Sequence, residues 1–168
     1  METAQRIALT DLRGVDIFAG LSDEDLGEIA QFCTLRTYKA GEYCAVQGKT
    51  TDELLIVNGG KVVIEMRVEV PRYSHTVTVA TLTRGCVCAW SALVPPHVLT
   101  ASVKCVENSP MIAIKDSDLR RLCGAKPVMD ATVMRNLAGV ISSRLRDSHT
   151  QLTRLCAEIL KEGIKHRG

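Results

Sequence analysis

The chain has 168 residues, 46% hydrophobic, 24% charged and 4% aromatic, with a formal net charge of +2. This is the composition of a globular domain with an aliphatic core, and it excludes disorder and any electrostatic case for nucleic acid as a partner. No apolar run is long enough to span a bilayer, and Met1–Gln5 lacks the basic and apolar segments of a secretory signal, so a cytoplasmic protein with no membrane partner is expected.

Residues 11–33 are predicted helical. Ser22 is an N-cap ahead of Asp23, Glu24 and Asp25, whose charges suit the positive end of a helix dipole, and Leu26, Ile29, Ala30 and Cys33 follow at helical spacing. From residue 35 to 115 the signals change to short β-prone runs: Leu35–Tyr38, Tyr43–Val46, Leu54–Val57, Lys61–Val70, Thr76–Leu82 and Met111–Lys115. Gly41, Gly48, Gly59, Gly60 and Gly85 separate them, and Pro71–Ser74 marks a hairpin tip. Many short strands with glycine turns predict a sandwich or barrel.

From Pro127 onward the period is helical. Met134, Ala138, Ile141, Leu145, Ser148, Leu152, Leu155 and Ile159 recur at alternating fours and threes, the a/d seam of a coiled coil. One small domain cannot cover such a seam, so a homodimer through this helix is expected. The expected division is a sensor unit over 1–126 and a dimerisation helix over 127–168.

Several motifs occur in a fixed order: Val15-Asp16-Ile17-Phe18-Ala19-Gly20-Leu21, then Ala40-Gly41-Glu42, Gln47-Gly48-Lys49 and Ile56-Val57-Asn58-Gly59-Gly60-Lys61-Val62. Then come Cys88-Ala89-Trp90-Ser91-Ala92-Leu93 and, after Pro95-Pro96, Leu99-Thr100-Ala101-Ser102-Val103. Together they resemble the cyclic-nucleotide-binding domain family, in the form found in catabolite-activator-like sensors without their helix-turn-helix domain. The last two stretches resemble that family's phosphate-binding cassette, Phe-Gly-Glu-x-Ala-Leu followed by Arg-Thr/Ala-Ala-Ser/Thr-Val. The resemblance implies a mainly β jelly roll with N-terminal helices and a long C-terminal dimerisation helix. It also implies a ligand site at Ala89, Trp90, Ser91, Ala92, Leu99, Thr100, Ala101 and Ser102, with Ser148 reaching the ligand from the helix.

Two departures set the expected ligand. Trp90 stands where the family's Glu takes the ribose hydroxyl, and Leu99 where its Arg pairs with the cyclic phosphate. Truncating one side of a buried, hydrogen-bonded charge pair costs about 2–5 kcal/mol, on the order of 30- to 5,000-fold in affinity. Tight cyclic AMP or GMP binding is therefore not expected. Three readings of the pocket stand beside one another: a different small effector, anionic or aromatic and of unknown identity; a closed pocket with Trp90 and Leu99 as core; or a nucleotide site rescued by Arg84 or His97. Ser148 has two readings as well, a ligand contact or a small polar residue that fixes coiled-coil register.

The seven cysteines, Cys33, Cys44, Cys86, Cys88, Cys105, Cys123 and Cys156, include no Cys-x-x-Cys, and no His sits at zinc spacing, so no metal is expected. Cys86 and Cys88 are two apart on one strand face, as a thiol pair or as ordinary core. No nucleophile elbow, phosphate loop or acid–base carboxylate pair is present, so neither catalytic residues, enzyme activity nor a cofactor is expected. The function expected is a regulatory sensor that binds a small effector. The alternatives are a ligand-free dimeric scaffold for a protein partner and a cysteine redox sensor.

Overall fold

Leu54, Leu55, Ile56 and Val57 form an unbroken apolar run, and all four are buried. A strand reads this way when both of its faces are covered. Here Leu54 and Ile56 pack on helices, and Leu55 and Val57 on the interior of a β roll. The computed structural model describes residues 7–165, with the backbone alone for residues 70, 73 and 162–165. Residues 1–6 and 166–168 of the expected segments lie outside the described residues.

The chain starts with α1 (Leu9–Arg13), a 3-10 turn at Asp16–Phe18 and α2 (Asp23–Ala30). The Ser22 side chain accepts from the Asp25 amide at 3.1 Å, the expected N-cap. Eight strands follow: β1 (Cys33–Tyr38), β2 (Tyr43–Ala45), β3 (Glu53–Val57), β4 (Val62–Val70), β5 (Tyr73–Leu82), β6 (Val87–Cys88), β7 (Ser102–Cys105) and β8 (Ser109–Lys115). They form two antiparallel four-stranded sheets, ordered β1-β8-β3-β6 and β2-β7-β4-β5. Two helices close the chain, α3 (Asp116–Ala125) and α4 (Pro127–Lys165). The result is a β jelly roll with flanking helices.

Several features depart from the sequence expectation: Cys33, read at the end of the helical stretch, begins β1, and Tyr73 and Ser74, read as part of the hairpin tip, lie in β5. Residues 116–125, between the last strand and Pro127, form α3, and only Leu119 and Cys123, four apart, bury its inner face. Strands β6 and β7 are too short to show a period of their own.

Helix α4 is fastened to the roll over its first half. Met129, Val133, Leu137 and Val140 are buried against the helical core, and the Asn136 amide donates to the carbonyls of Ile17 (3.1 Å) and Ala19 (2.9 Å). Lys126, at its start, contacts Asp25 and Glu28 of α2, both at 2.9 Å. One glycine is needed by the same packing. Gly85 has φ +89, and any Cβ there would meet the Gly14 carbonyl, while its own carbonyl accepts from the Asp16 amide at 3.0 Å.

Candidate functional site

The interior face of the β2-β7-β4-β5 sheet, the segment joining β6 to β7, and α4 enclose a cavity of about 210 Å³. Its wall is mostly aliphatic: Ile64 and Met66 of β4, Val79 of β5, Val87 and Cys88 of β6, and Val103 of β7. Ile64 and Met66 reach it together because alternate residues of a strand share a face. Ala89, Trp90, Ser91, Leu99, Thr100 and Ala101 line the cavity on the cassette side, and Ile141, Arg144, Leu145 and Ser148 line it from α4.

The cassette is held by a local fold that its sequence requires. After β6, Ala89 takes a left-handed conformation (φ 53, ψ 28), and Trp90–Leu93 form a 3-10 turn. Ala89 stands at the position of the motif's glycine, for which this conformation carries no Cβ penalty. The turn is pinned from outside. Arg120 of α3 donates to the Leu93 carbonyl at 2.9 Å while its Nε bonds Asp116 at 2.7 Å, and His97 Nδ1 lies 2.8 Å from the Ala92 carbonyl.

Seven of the nine expected ligand residues line the cavity; Ala92 and Ser102 do not. Ala92 is fully buried behind the turn, and the Ser102 hydroxyl accepts from the Gln47 amide at 2.9 Å in an outer depression. Leu99 is buried in the roll interior and Trp90 is half-buried, touching both the cavity and the helical core. Neither residue offered as a stand-in cation lies there. Arg84 is exposed and pairs with Asp11 at 3.0 Å, and His97 faces a separate surface hollow beside Asp52 and Asp116.

The cation that does line the cavity is Arg144, which the sequence reading missed. Among the described residues that line the cavity it is the one charged side chain. It is 20% exposed and makes one loose ion pair, 3.4 Å to Asp147. Arg144 also lines a surface hollow with Asp16: burial raises that carboxyl above the ordinary range, and the Arg144 charge acts in the opposite sense. The signal was present in the sequence, since Arg144 precedes Ser148 by four and so shares its helical face.

The expected seam on α4 also divides. Ile141, Leu145 and Ser148 turn toward the chain's own cavity. Met134, Ala138, Leu152, Leu155 and Ile159 are exposed, and Leu145 keeps 55% of its surface despite touching the cavity.

Comparisons with known proteins agree with this geometry. The sequence profile of the cyclic nucleotide-binding domain matches residues 35–126. A cyclic nucleotide-binding domain from Methylobacillus flagellatus superposes with a TM-score of 0.73 at 16% identity, covering 87% of this chain and 80% of that one. The catabolite activator protein of Thermus thermophilus gives 0.69 at 26% identity, with 84% and 63% covered. Glutaminase 1 of Bradyrhizobium diazoefficiens is 29% identical over 136 residues, which are 81% of this chain but 21% of that protein, so the chain spans about a fifth of its length.

Proposed function

Since the matched residues 35–126 are more than half of its length, the chain belongs to the cyclic nucleotide-binding domain family, and from that premise we propose that it is a regulatory sensor for a small organic anion other than a cyclic nucleotide. The observation that carries this reading is the position of Arg144. The family's cassette places its cation on the roll; here that place is the buried aliphatic Leu99, and the cavity's charge comes from α4.

An anion in the cavity would meet the Arg144 guanidinium, with the hydroxyls of Thr100 and Ser148 beside it and aliphatic walls around its body. The volume limits its size: ligand sites usually enclose about 300–1,000 Å³, and this one encloses about 210 Å³. A carboxylate or phosphate on a small apolar or aromatic body fits that description better than a nucleotide does.

The regulatory step follows from where the charge sits. A ligand held by Arg144 and Ser148 of α4 and by Thr100 of the cassette bridges the roll and α4, so it binds better when the helix lies over the cavity than when it has swung away. That difference in affinity is what lets a ligand shift the helix population. The exposed face at Leu152, Leu155 and Ile159 is then the output, pairing with a second copy of the chain or with a partner protein. The glutaminase segment supports a role of this kind, in which such a unit is attached to an enzyme's activity rather than having its own. Seven free thiols, and the lack among the described residues of a helix long and apolar enough to cross a membrane, are compatible with a cytoplasmic setting.

The test is thermal unfolding with a panel of small carboxylates and phosphate monoesters, each beside its neutral amide or alcohol. An anion that binds only the folded state raises the midpoint, since ligand at 100 times Kd contributes about 2.7 kcal/mol. Arg144→Gln should weaken it by about 30-fold or more and remove most of that shift. Equal stabilisation of wild type and Arg144→Gln would contradict the assignment. No stabilisation by any anion would favour the ligand-free scaffold.

A further inference from the structure

A buried polar side chain normally makes its hydrogen bonds within the protein, so a buried hydroxyl without one calls for an explanation. Among the described residues two polar ones are buried, Ser91 at 7% exposure and Ser109 at 0%. Ser109 is satisfied, its hydroxyl donating to the Glu107 carbonyl at 2.8 Å. Ser91 differs. Its carbonyl accepts from the Val94 amide at 3.2 Å, but its hydroxyl has no hydrogen-bond partner among the described residues, and the residue lines the cavity. Nor is that oxygen sealed in the core: among the described residues the one sealed side-chain N or O atom without a partner is Asn58 Oδ1. The space on which the Ser91 hydroxyl opens is the cavity.

The turn gives this hydroxyl no structural task. Trp90–Leu93 is held by Arg120 on the Leu93 carbonyl at 2.9 Å and by His97 beside the Ala92 carbonyl at 2.8 Å, and Ala92 and Leu93 are buried as apolar core. Ser148, on the other wall, follows the same pattern. Thr132, Thr150 and Thr153 of α4 each donate to the carbonyl four residues back, at 2.8, 3.0 and 2.9 Å, the usual outlet for a helical hydroxyl. Among the described residues Ser148 makes no such bond, and it lines the cavity.

We propose that Ser91 is a specificity-determining residue, and that the effector is a small acid carrying a second, uncharged oxygen, which the Ser91 hydroxyl bonds while Arg144 holds the anionic end. The inference rests on the anion reading of Arg144 and narrows it to hydroxy or oxo derivatives of small carboxylates and phosphate esters. Ser91 belongs to the cassette turn and Arg144 to α4, so the two groups hold the ligand from the roll and from the helix. A serine hydroxyl both donates and accepts, so it serves a ligand hydroxyl or a ligand carbonyl. Its bond is neutral, so it decides which anion is preferred rather than whether an anion binds. A neutral hydrogen bond of this kind corresponds to about 2- to 12-fold in affinity.

The test uses the full chain, with the fluorescence of Trp90 as the binding signal, since it is the single tryptophan of the chain and itself lines the cavity. The probes are butanoate beside its hydroxy and oxo derivatives, and propyl phosphate beside hydroxypropyl phosphate. Wild type should bind a hydroxy or oxo member of a set about 2- to 12-fold more tightly than its parent. Ser91→Ala should abolish that preference and leave the Kd of the parent unchanged, while Arg144→Gln should weaken parent and derivative alike. The unfolding midpoint of Ser91→Ala should not fall, because no group of the protein loses a hydrogen bond. A wild type without the preference, a preference that survives Ser91→Ala, or a midpoint lowered by several degrees in that variant would overturn the inference, and the anion reading would still stand where Arg144→Gln weakens binding. A wild type that binds none of these anions would overturn both.

Discussion

At position 89 the backbone is left-handed and the residue is alanine. L-residues with a Cβ pay roughly 1–2 kcal/mol for that conformation, while glycine pays instead through the freer unfolded chain. Ala89→Gly should therefore stabilise the domain by about 0.5–1 kcal/mol and raise its unfolding midpoint by about 1–4 °C. Chemical denaturation and a thermal scan would check it, and a loss of stability would mean that the Ala89 methyl, buried in the roll, packs more favourably than the backbone strain costs. The same scale shows what could be read in advance. Trp90 and Leu99 sit at the cassette positions that the motif frame assigned to them, because spacing survives when the side chains change. Spacing puts Arg144 on the helical face of Ser148, but its place at the cavity depends on α4 crossing the roll, a tertiary fact that a seam of apolar residues does not report. Thiol reactivity follows burial as well. Burial pushes Cys33 up to about 12 and Cys123 up to about 11, so both should resist alkylation at neutral pH.

Among the elements, α4 carries most of the functional argument. Its first half reads inward through Met129, Val133, Leu137 and Val140, a row that the a/d reading passed over in favour of its neighbours on the next face. Both rows are apolar at helical spacing, and periodicity alone does not say which one the domain itself buries. Beyond residue 148 the helix has left the roll, and Leu152 (59% exposed) and Ile159 (67%) have no cover of their own. Sedimentation velocity should accordingly find a dimer at micromolar concentration. Leu152→Glu together with Ile159→Glu should give a monomer whose circular dichroism still shows the folded roll, because neither residue touches the core. A monomeric wild type would show that this face serves a different partner. Helix α3 was illegible for the opposite reason: it is short, polar and buries only two side chains, so its helical period is carried by too few positions. The long strands β4 and β5 and their hairpin were legible because nine- and ten-residue β-prone runs flank one turn.

For the whole molecule, the roll and α4 together line one cavity, and under the proposed function occupancy and helix position are one equilibrium. The family frame accounts for the jelly roll, the cassette turn and the long helix. The proposed change of ligand rests on the chain's own departures from that frame: aliphatic Leu99 in place of a cation, an indole in place of a carboxylate, and an arginine on the helix. A cyclic nucleotide would have to place its phosphate beside buried Leu99 in a cavity of about 210 Å³. The most direct measurement is thermal unfolding of the wild-type protein with and without millimolar cyclic AMP and cyclic GMP. The midpoint should be unchanged with both, because a ligand at or below its Kd contributes at most about 0.4 kcal/mol. A rise of several degrees with either nucleotide would contradict it, and would show that Arg144 restores the family's own ligand from the other side of the cavity.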